Sequence, residues 1–166
     1  DLESIVEFGD RNLVKIDKLF GGIAYQFSIP DNLDVELFDL KFKSPIIASS
    51  FKSDKNLIGI WLKLGLGGAI LKTIMKEARV GNSKPRLQQV RLERQACLVN
   101  ALGLPGEGVE KFSETIIDNP LWNHKKPIGL SIGGENLDDY IKTFNVLDTM
   151  SNKLKSSKYF FELNIS

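Results

Sequence analysis

The sequence is poor in the residues that most metal and nucleophile chemistry needs. Its 166 residues hold one cysteine and one histidine. A single cysteine, Cys97, excludes an internal disulfide framework and suits a reducing compartment. Neither Cys97 nor His124 has sequence neighbours that would complete a metal site or a nucleophilic triad. Within Ala96-Cys97-Leu98-Val99 the cysteine reads as a small buried hydrophobe. His124, between Asn123 and Lys125, reads as a solvated loop residue. Excess charge is missing too: 22 Lys and Arg against 21 Asp and Glu leave a net +1. The lysines are scattered, so no basic stripe addresses nucleic acid. No apolar run approaches the ~20 residues that cross a bilayer. The acidic start, Asp1-Leu2-Glu3, shows no secretory-leader pattern. The expectation is a soluble, cytoplasmic chain that binds neither nucleic acid nor metal.

What is present is enough for a core, with 42% of the chain hydrophobic, which suits one domain. Residues 1 to 43 read as an extension with no legible function. Leu2, Ile5, Val6, Leu13, Ile16, Leu19 and Phe20 are loosely helical in spacing, with a break at Gly9 and a stop at Gly21-Gly22. No clear basic amphipathic helix stands out there, which favours a simple brace over a membrane-contacting arm. Tyr25 to Ile29 reads as a short strand or an extended arm, and Pro30-Asp31-Asn32 as a turn.

From residue 44 the pattern becomes regular. Pro45 to Ala48 is a short strand ending in Ser49-Ser50. Ser53-Asp54 can cap a helix whose apolar face holds Leu57, Ile58, Trp61, Leu62 and Leu64. Gly68 to Leu71 is a second strand, ending in Lys72-Thr73. Lys84 to Val90 and Arg91 to Asn100 form a hairpin-like excursion. A helix follows over Val109–Ile117, stopped at Asn119-Pro120. Pro127 to Ile132 is a third strand, and a long helix from Glu135 presents Leu137, Tyr140, Ile141, Phe144, Leu147 and Met150 on one face. Tyr159 to Ile165 is a fourth strand.

Apolar strands alternating with amphipathic helices predict a parallel sheet with helical crossovers. An open doubly wound sheet and a β/α barrel both satisfy that pattern. Polar residues at all four strand ends (Ser49-Ser50, Lys72-Thr73, Ser131 and Asn164) favour the barrel, which collects functional side chains there. A complete barrel takes eight strands and ~250 residues, so residues 44–166 supply its first four strand–helix units, an N-terminal half. Taken singly, Lys72 is a strand-end lysine reaching for water and Asn100 caps a turn. Lys72 followed by Thr73 and faced by Asn100 reads as a site. Asn164 within a strand of Tyr, Phe and Leu defies strand propensity and reads the same way.

Four motifs in this order resemble one family. They are Lys72-Thr73, Gly81-Asn82-Ser83-Lys84-Pro85-Arg86, Asn100-Ala101-Leu102-Gly103-Leu104 and Glu162-Leu163-Asn164-Ile165-Ser166. Together they look like dihydroorotate dehydrogenase, the soluble class more than the quinone-using one, across residues 44–166. The resemblance implies an FMN-containing β/α barrel that oxidises dihydroorotate to orotate in pyrimidine biosynthesis, passing a hydride to the flavin. It implies FMN contacts at Ser49, Ser50, Lys72, Thr73, Ser131 and Asn164. It implies substrate contacts at Lys72, Asn100, Asn164 and the loop Ala101-Leu102-Gly103-Leu104. A fixed ammonium at Lys72 suits the charge that reduced flavin gathers, and amides suit a ring of alternating N–H and C=O groups.

Two positions depart from the family pattern: Phe51 replaces a small glycine, and Ser131 stands where many soluble members have asparagine. The catalytic base, a cysteine or serine in the family, is expected just beyond Ser166, so no residue here is assigned that role. The family also implies a homodimer. The electron acceptor is left open between fumarate, nicotinamide through a partner subunit, and quinone. The alternatives are another FMN barrel acting on a pyrimidine-like ring and a non-catalytic half-barrel.

Overall fold

The computed structural model describes residues 1–154 and 158–166. Its centre is a four-stranded parallel sheet made of β3 (Ile47–Ala48), β4 (Gly68–Ile74), β7 (Ile128–Ile132) and β8 (Tyr159–Leu163), paired in chain order. Ile47 sits opposite Gly68, Ala69 opposite Ile128, and Ile128 opposite Tyr159. Three helices cover the sheet: α2 (Lys55–Lys63), α3 (Val109–Ile116) and α4 (Leu137–Ser151). They share one core, in which Ile58 and Leu62 of α2, Phe112 and Ile116 of α3 and Leu147 of α4 meet Leu71, Ile128, Leu130 and Ile132. A doubly wound sheet reverses its strand order and carries helices on both faces. Strands in sequence order with their helices packed into one core are the partial β/α barrel that the strand ends predicted.

Local chemistry explains the elements. Asp54 caps α2 by accepting from the Asn56 and Leu57 N–H groups, and Asn136 caps α4 by accepting from Asp139. Both satisfy donors that a helix start leaves unpaired. At the far end of α2, the Lys126 ammonium donates to the Leu62 and Leu66 carbonyls at 2.7 Å each. On the other face of the sheet Gly129 lies between Ile70 and Phe160, where a Cβ would come within 2.9 Å of each side chain. Phe42 packs edge-on against Phe160 there, so the antiparallel pair β1 (Val35–Leu37) and β2 (Leu40–Phe42) closes off the strand-start end.

Several expectations need correction. The first helix, α1 (Leu2–Ala24), is continuous through Gly9, whose missing side chain faces open space. One glycine costs a helix of 23 residues only about 1 kcal/mol. Tyr25 to Ile29 forms no strand. β4 runs on to Ile74, so Lys72 and Thr73 lie within the strand rather than after it. The buried face of α4 matches the expected one only in part, at Leu147, Met150 and the partly buried Tyr140. It holds Thr143, Leu147 and Met150, while Leu137 (75%), Ile141 (48%) and Phe144 (39%) are exposed. Cys97 lies half-exposed on the hairpin of β5 (Leu87–Leu92) and β6 (Gln95–Asn100). His124 is half-buried near Gly59. Burial, then the charges of Lys63 and Lys126, hold its imidazole below the usual value.

Candidate active site

The strand ends meet at an irregularity in β4. Leu71 pairs with Leu130 but Ile74 pairs with Ile132, so β4 holds one residue more than its partner over this stretch. That is a bulge, a device that re-aims side chains, and its extra length falls on Lys72 and Thr73. Thr73 turns into the sheet and is buried to 3% exposure beside Ser131 at 0%. Their hydroxyls share a 3.1 Å hydrogen bond, and Asn164 Nδ2 donates to Thr73 Oγ1 at 2.9 Å. Three of the expected residues, on β4, on β7 and just past the end of β8, therefore form one rack. Asn164 is fixed further: its Oδ1 accepts from the Ser166 N–H, and Tyr140 Oη donates to its carbonyl.

Lys72 is half-buried and makes no ion pair among the described residues. Burial, reinforced by the Arg86 guanidinium, holds its ammonium below the usual lysine value. An uncommitted cation at a strand mouth is available to an anionic or electron-rich ligand. It opens onto a cavity of about 330 Å³ under α1, lined also by Phe51, Lys52, Arg86, Leu102 and Glu3. Phe51, the departure from the family pattern, is thus a wall of this cavity.

The other expected residues are less closely gathered. Ala101 is held from both sides, its N–H donating to Arg86 O at 2.9 Å and its carbonyl accepting from Asn82 Nδ2 at 2.8 Å. Gly103 adopts φ +72° and Leu104 φ +49°, the left-handed turn that glycine permits most cheaply. Ser49 is exposed and Ser50 half-buried, and neither lines the cavity. Asn100 ends β6 opposite Leu87 and is exposed. The structure brings Lys72 and Leu102 to one cavity and joins Thr73, Ser131 and Asn164, but it leaves Asn100 outside both groups.

The sequence reading missed Glu3, Lys52, Asn82, Arg86 and Tyr140 as site neighbours. Asn82 and Arg86 lie in the motif Gly81-Asn82-Ser83-Lys84-Pro85-Arg86, which is the one available signal. Glu3 and Lys52 gave none, because their partners are remote in sequence. Glu3 pairs with Arg86 and Lys52 with Asp10.

Known proteins share this chain's sequence pattern and fold. A family model described as dihydroorotate dehydrogenase matches residues 32–166. A curated relative from Thermus thermophilus, named dihydroorotate dehydrogenase (quinone), is 30% identical over 142 residues, which cover 81% of this chain and 38% of the relative. One of the same name from Gloeobacter violaceus is 29% identical over 136 residues, covering 76% of this chain and 37% of the relative. The crystal structure of ligand-free DHODH from Eimeria tenella superposes with a TM-score of 0.72 at 20% identity, over 100% of this chain and 46% of that one. At that identity the superposition establishes the barrel fold. The chain spans less than two fifths of the length of these two curated relatives. Both carry the quinone name, so the expected likeness to the soluble class finds no support in them.

Proposed function

The chain belongs to the dihydroorotate dehydrogenase family, and from that premise we propose that it supplies half the active site of an FMN-dependent enzyme. The enzyme oxidises dihydroorotate to orotate and passes the electrons to a quinone. The observation that carries the reading is the uncommitted, half-buried Lys72 beside the rack of Thr73, Ser131 and Asn164 at the strand mouth.

Those residues suit a flavin. A flat heterocycle edged with alternating donors and acceptors needs hydroxyl and amide partners from a rigid frame, and the rack sits on β4, on β7 and just past the end of β8. FMN would be held by Lys72 and Asn164, with Thr73 and the fully enclosed Ser131 fixing Asn164 from behind and the first-strand turn at Ser49 and Ser50 alongside. When bound, it supplies the acceptor for the hydride leaving dihydroorotate. The chain's own part is binding and electrostatics. Lys72 places a positive charge where electron density gathers, in a site whose burial strengthens that interaction. The loop Ala101-Leu102-Gly103-Leu104, with Asn100 at its base, presents backbone groups to the substrate. The proton-accepting base is assigned to no residue between 1 and 166.

The choice of quinone rests on the names of the relatives and on α1. Ile5, Phe8, Ile16, Leu19, Phe20 and Ile23 are all exposed along that helix, as are Arg11, Lys15 and Lys18. The helix is thus amphipathic with cations on its exposed side, which supports an arm that admits an apolar acceptor to the cavity beneath it, in addition to the brace expected from sequence. Among the described residues no helix is long and apolar enough to cross a membrane. The homodimer and the cytoplasmic location are carried from the family resemblance and the composition alone.

The experiment is a visible spectrum of the purified full-length protein. The expected result is a flavin spectrum that dihydroorotate bleaches and a soluble quinone restores faster than fumarate or a nicotinamide does. Substitution Lys72→Ala should abolish the bleaching. A protein that takes up no flavin, or flavin that dihydroorotate leaves oxidised, would refute the proposal.

A further inference from the structure

Residues outside the expected site converge on it through one continuous set of hydrogen bonds. Glu3, in the first turn of α1, accepts from Arg86 Nε at 3.1 and 3.2 Å and from Arg86 Nη2 at 2.8 Å. The pair is well enclosed, with side chains 14% and 15% exposed. The remaining amino group of Arg86 donates to the Val80 and Asn82 carbonyls at 2.9 and 3.2 Å, which ties loop 80–86 to itself. Asn82 then grips the next loop. Its N–H donates to Leu102 O at 3.0 Å, and its Nδ2 donates to Ala101 O at 2.8 Å. Gly103 completes the fit, since a Cβ there would lie 2.7 Å from the Asn82 nitrogen.

We propose that Glu3 is a positioning residue for the substrate loop. It fixes the Arg86 guanidinium, Arg86 orders loop 80–86, and Asn82 of that loop sets the path of residues 101–103. The inference rests on the reading of that segment as the substrate loop. Its geometry explains why arginine stands at 86. A planar fork can bind a carboxylate side-on and still offer donors to carbonyls behind it, which a lysine ammonium cannot do in one orientation. A consequence is that the seating of α1, which roofs the cavity, and the hold on dihydroorotate are linked. No contact between α1 and the substrate is needed.

The test uses the full-length flavoprotein with three substitutions. Glu3→Ala removes the anchor, and Arg86→Lys keeps the charge but loses the fork. Asp17→Ala releases the other end of α1, where Asp17 binds Lys63. Orotate affinity is read from the flavin spectrum, and amide exchange is read at Asn82 and Ala101, whose N–H groups are bonded within this network. Glu3→Ala and Arg86→Lys should weaken orotate about tenfold and speed both amides, the scale of a lost charge-assisted hydrogen bond. Asp17→Ala should change either quantity by less than about twofold. Unchanged exchange at Asn82 and Ala101 in Glu3→Ala overturns the proposal. So does equal loosening by Asp17→Ala, which would mean that α1 acts by its bulk. Unaltered orotate affinity in Glu3→Ala, with a parent that binds orotate, overturns it too. A parent that binds no orotate removes the functional reading, and the exchange results still decide whether Glu3 orders the loop.

Discussion

Replacing Thr73 with valine keeps the shape of a buried residue and deletes one atom, Oγ1. That atom accepts from Asn164 and is bonded to the Ser131 hydroxyl. Ser131 is 0% exposed, and Thr73 is its single side-chain partner among the described residues, so Thr73→Val strands a hydroxyl with no water to turn to. A buried polar group left unpaired costs about 1–3 kcal/mol. The new methyl recovers less, because one buried carbon is worth about 0.8 kcal/mol. Asn164 is half-buried and can turn to solvent, so it adds little. The net expectation is a loss of about 1–2 kcal/mol, or a melting temperature lower by about 2–8 °C for a protein of this size. Urea denaturation monitored by circular dichroism measures it, with an unchanged slope confirming that the folded state is intact. The companion Ser131→Ala supplies the decisive sign. If the cost lies in the stranded hydroxyl, the double substitution should be less damaging than the sum of the singles. A Thr73→Val protein within about 0.5 kcal/mol of its parent, or strict additivity in the double, would refute the reasoning.

Three further predictions concern other parts of the frame. Glu3 is held below the usual carboxylate range by hydrogen bonds from Arg86; at Asp17 burial opposes ionisation, but bonds from Lys63 and Tyr25 outweigh it. A depressed folded-state pKa gives stability that is present above the ordinary values of 4.5 and 3.8 and lost as pH falls through the lower folded values. Pepsin should therefore cut α1 at Phe8, Leu19 or Phe20 well before β4 as the pH drops below about 4, and simultaneous loss of both segments would count against an ionic hold. Gly103→Ala forces a Cβ into a left-handed turn and against Asn82; it should cost about 1–2 kcal/mol by thermal melting and speed amide exchange at Asn82. Lys126→Met leaves the Leu66 carbonyl unpaired, while Leu62 keeps the Gly65 N–H, and should destabilise by about 1–3 kcal/mol in urea, an outcome that a neutral effect would contradict.

The barrel was legible because its signal is local. Ile128-Gly129-Leu130-Ser131-Ile132 is apolar, short and bounded by proline and glycine, which a buried parallel strand requires. The hairpin of β5 and β6 was visible for the same reason. Elements whose burial depends on distant partners were read less well. On α4 the expected face was right at Leu147 and Met150, which are buried, but not at Leu137, Ile141 and Phe144, which are exposed. The core receives Thr143 in their place, at 0% exposure, because the helix is oriented by the sheet beneath it and not by its own hydrophobicity. In α1 every acidic anchor faces the body of the protein while large apolar residues face away, the reverse of an ordinary surface helix. A search for an apolar buried stripe misjudges such a helix, since none of its residues is fully buried.

The same distinction governs the site. Thr73, Ser131 and Asn164 could be picked out because polar residues at the ends of apolar strands are out of place unless something uses them, and strand order alone brings them together. Asn100 met the same criterion and proved exposed at the end of a two-stranded hairpin, where the bland reading of a turn residue applies as well as the functional one. Arg86 shows what a single sequence withholds. Its partner Glu3 is 83 positions away, in a segment whose own pattern pointed to nothing. Its other bonds go to backbone carbonyls, which every residue has. Hydrogen bonds from one side chain to remote main chain leave no compositional trace, yet here they decide the course of the loop expected to hold the substrate. The residues most legible in this sequence are those that would touch a ligand, and the least legible are those that hold the touching residues still.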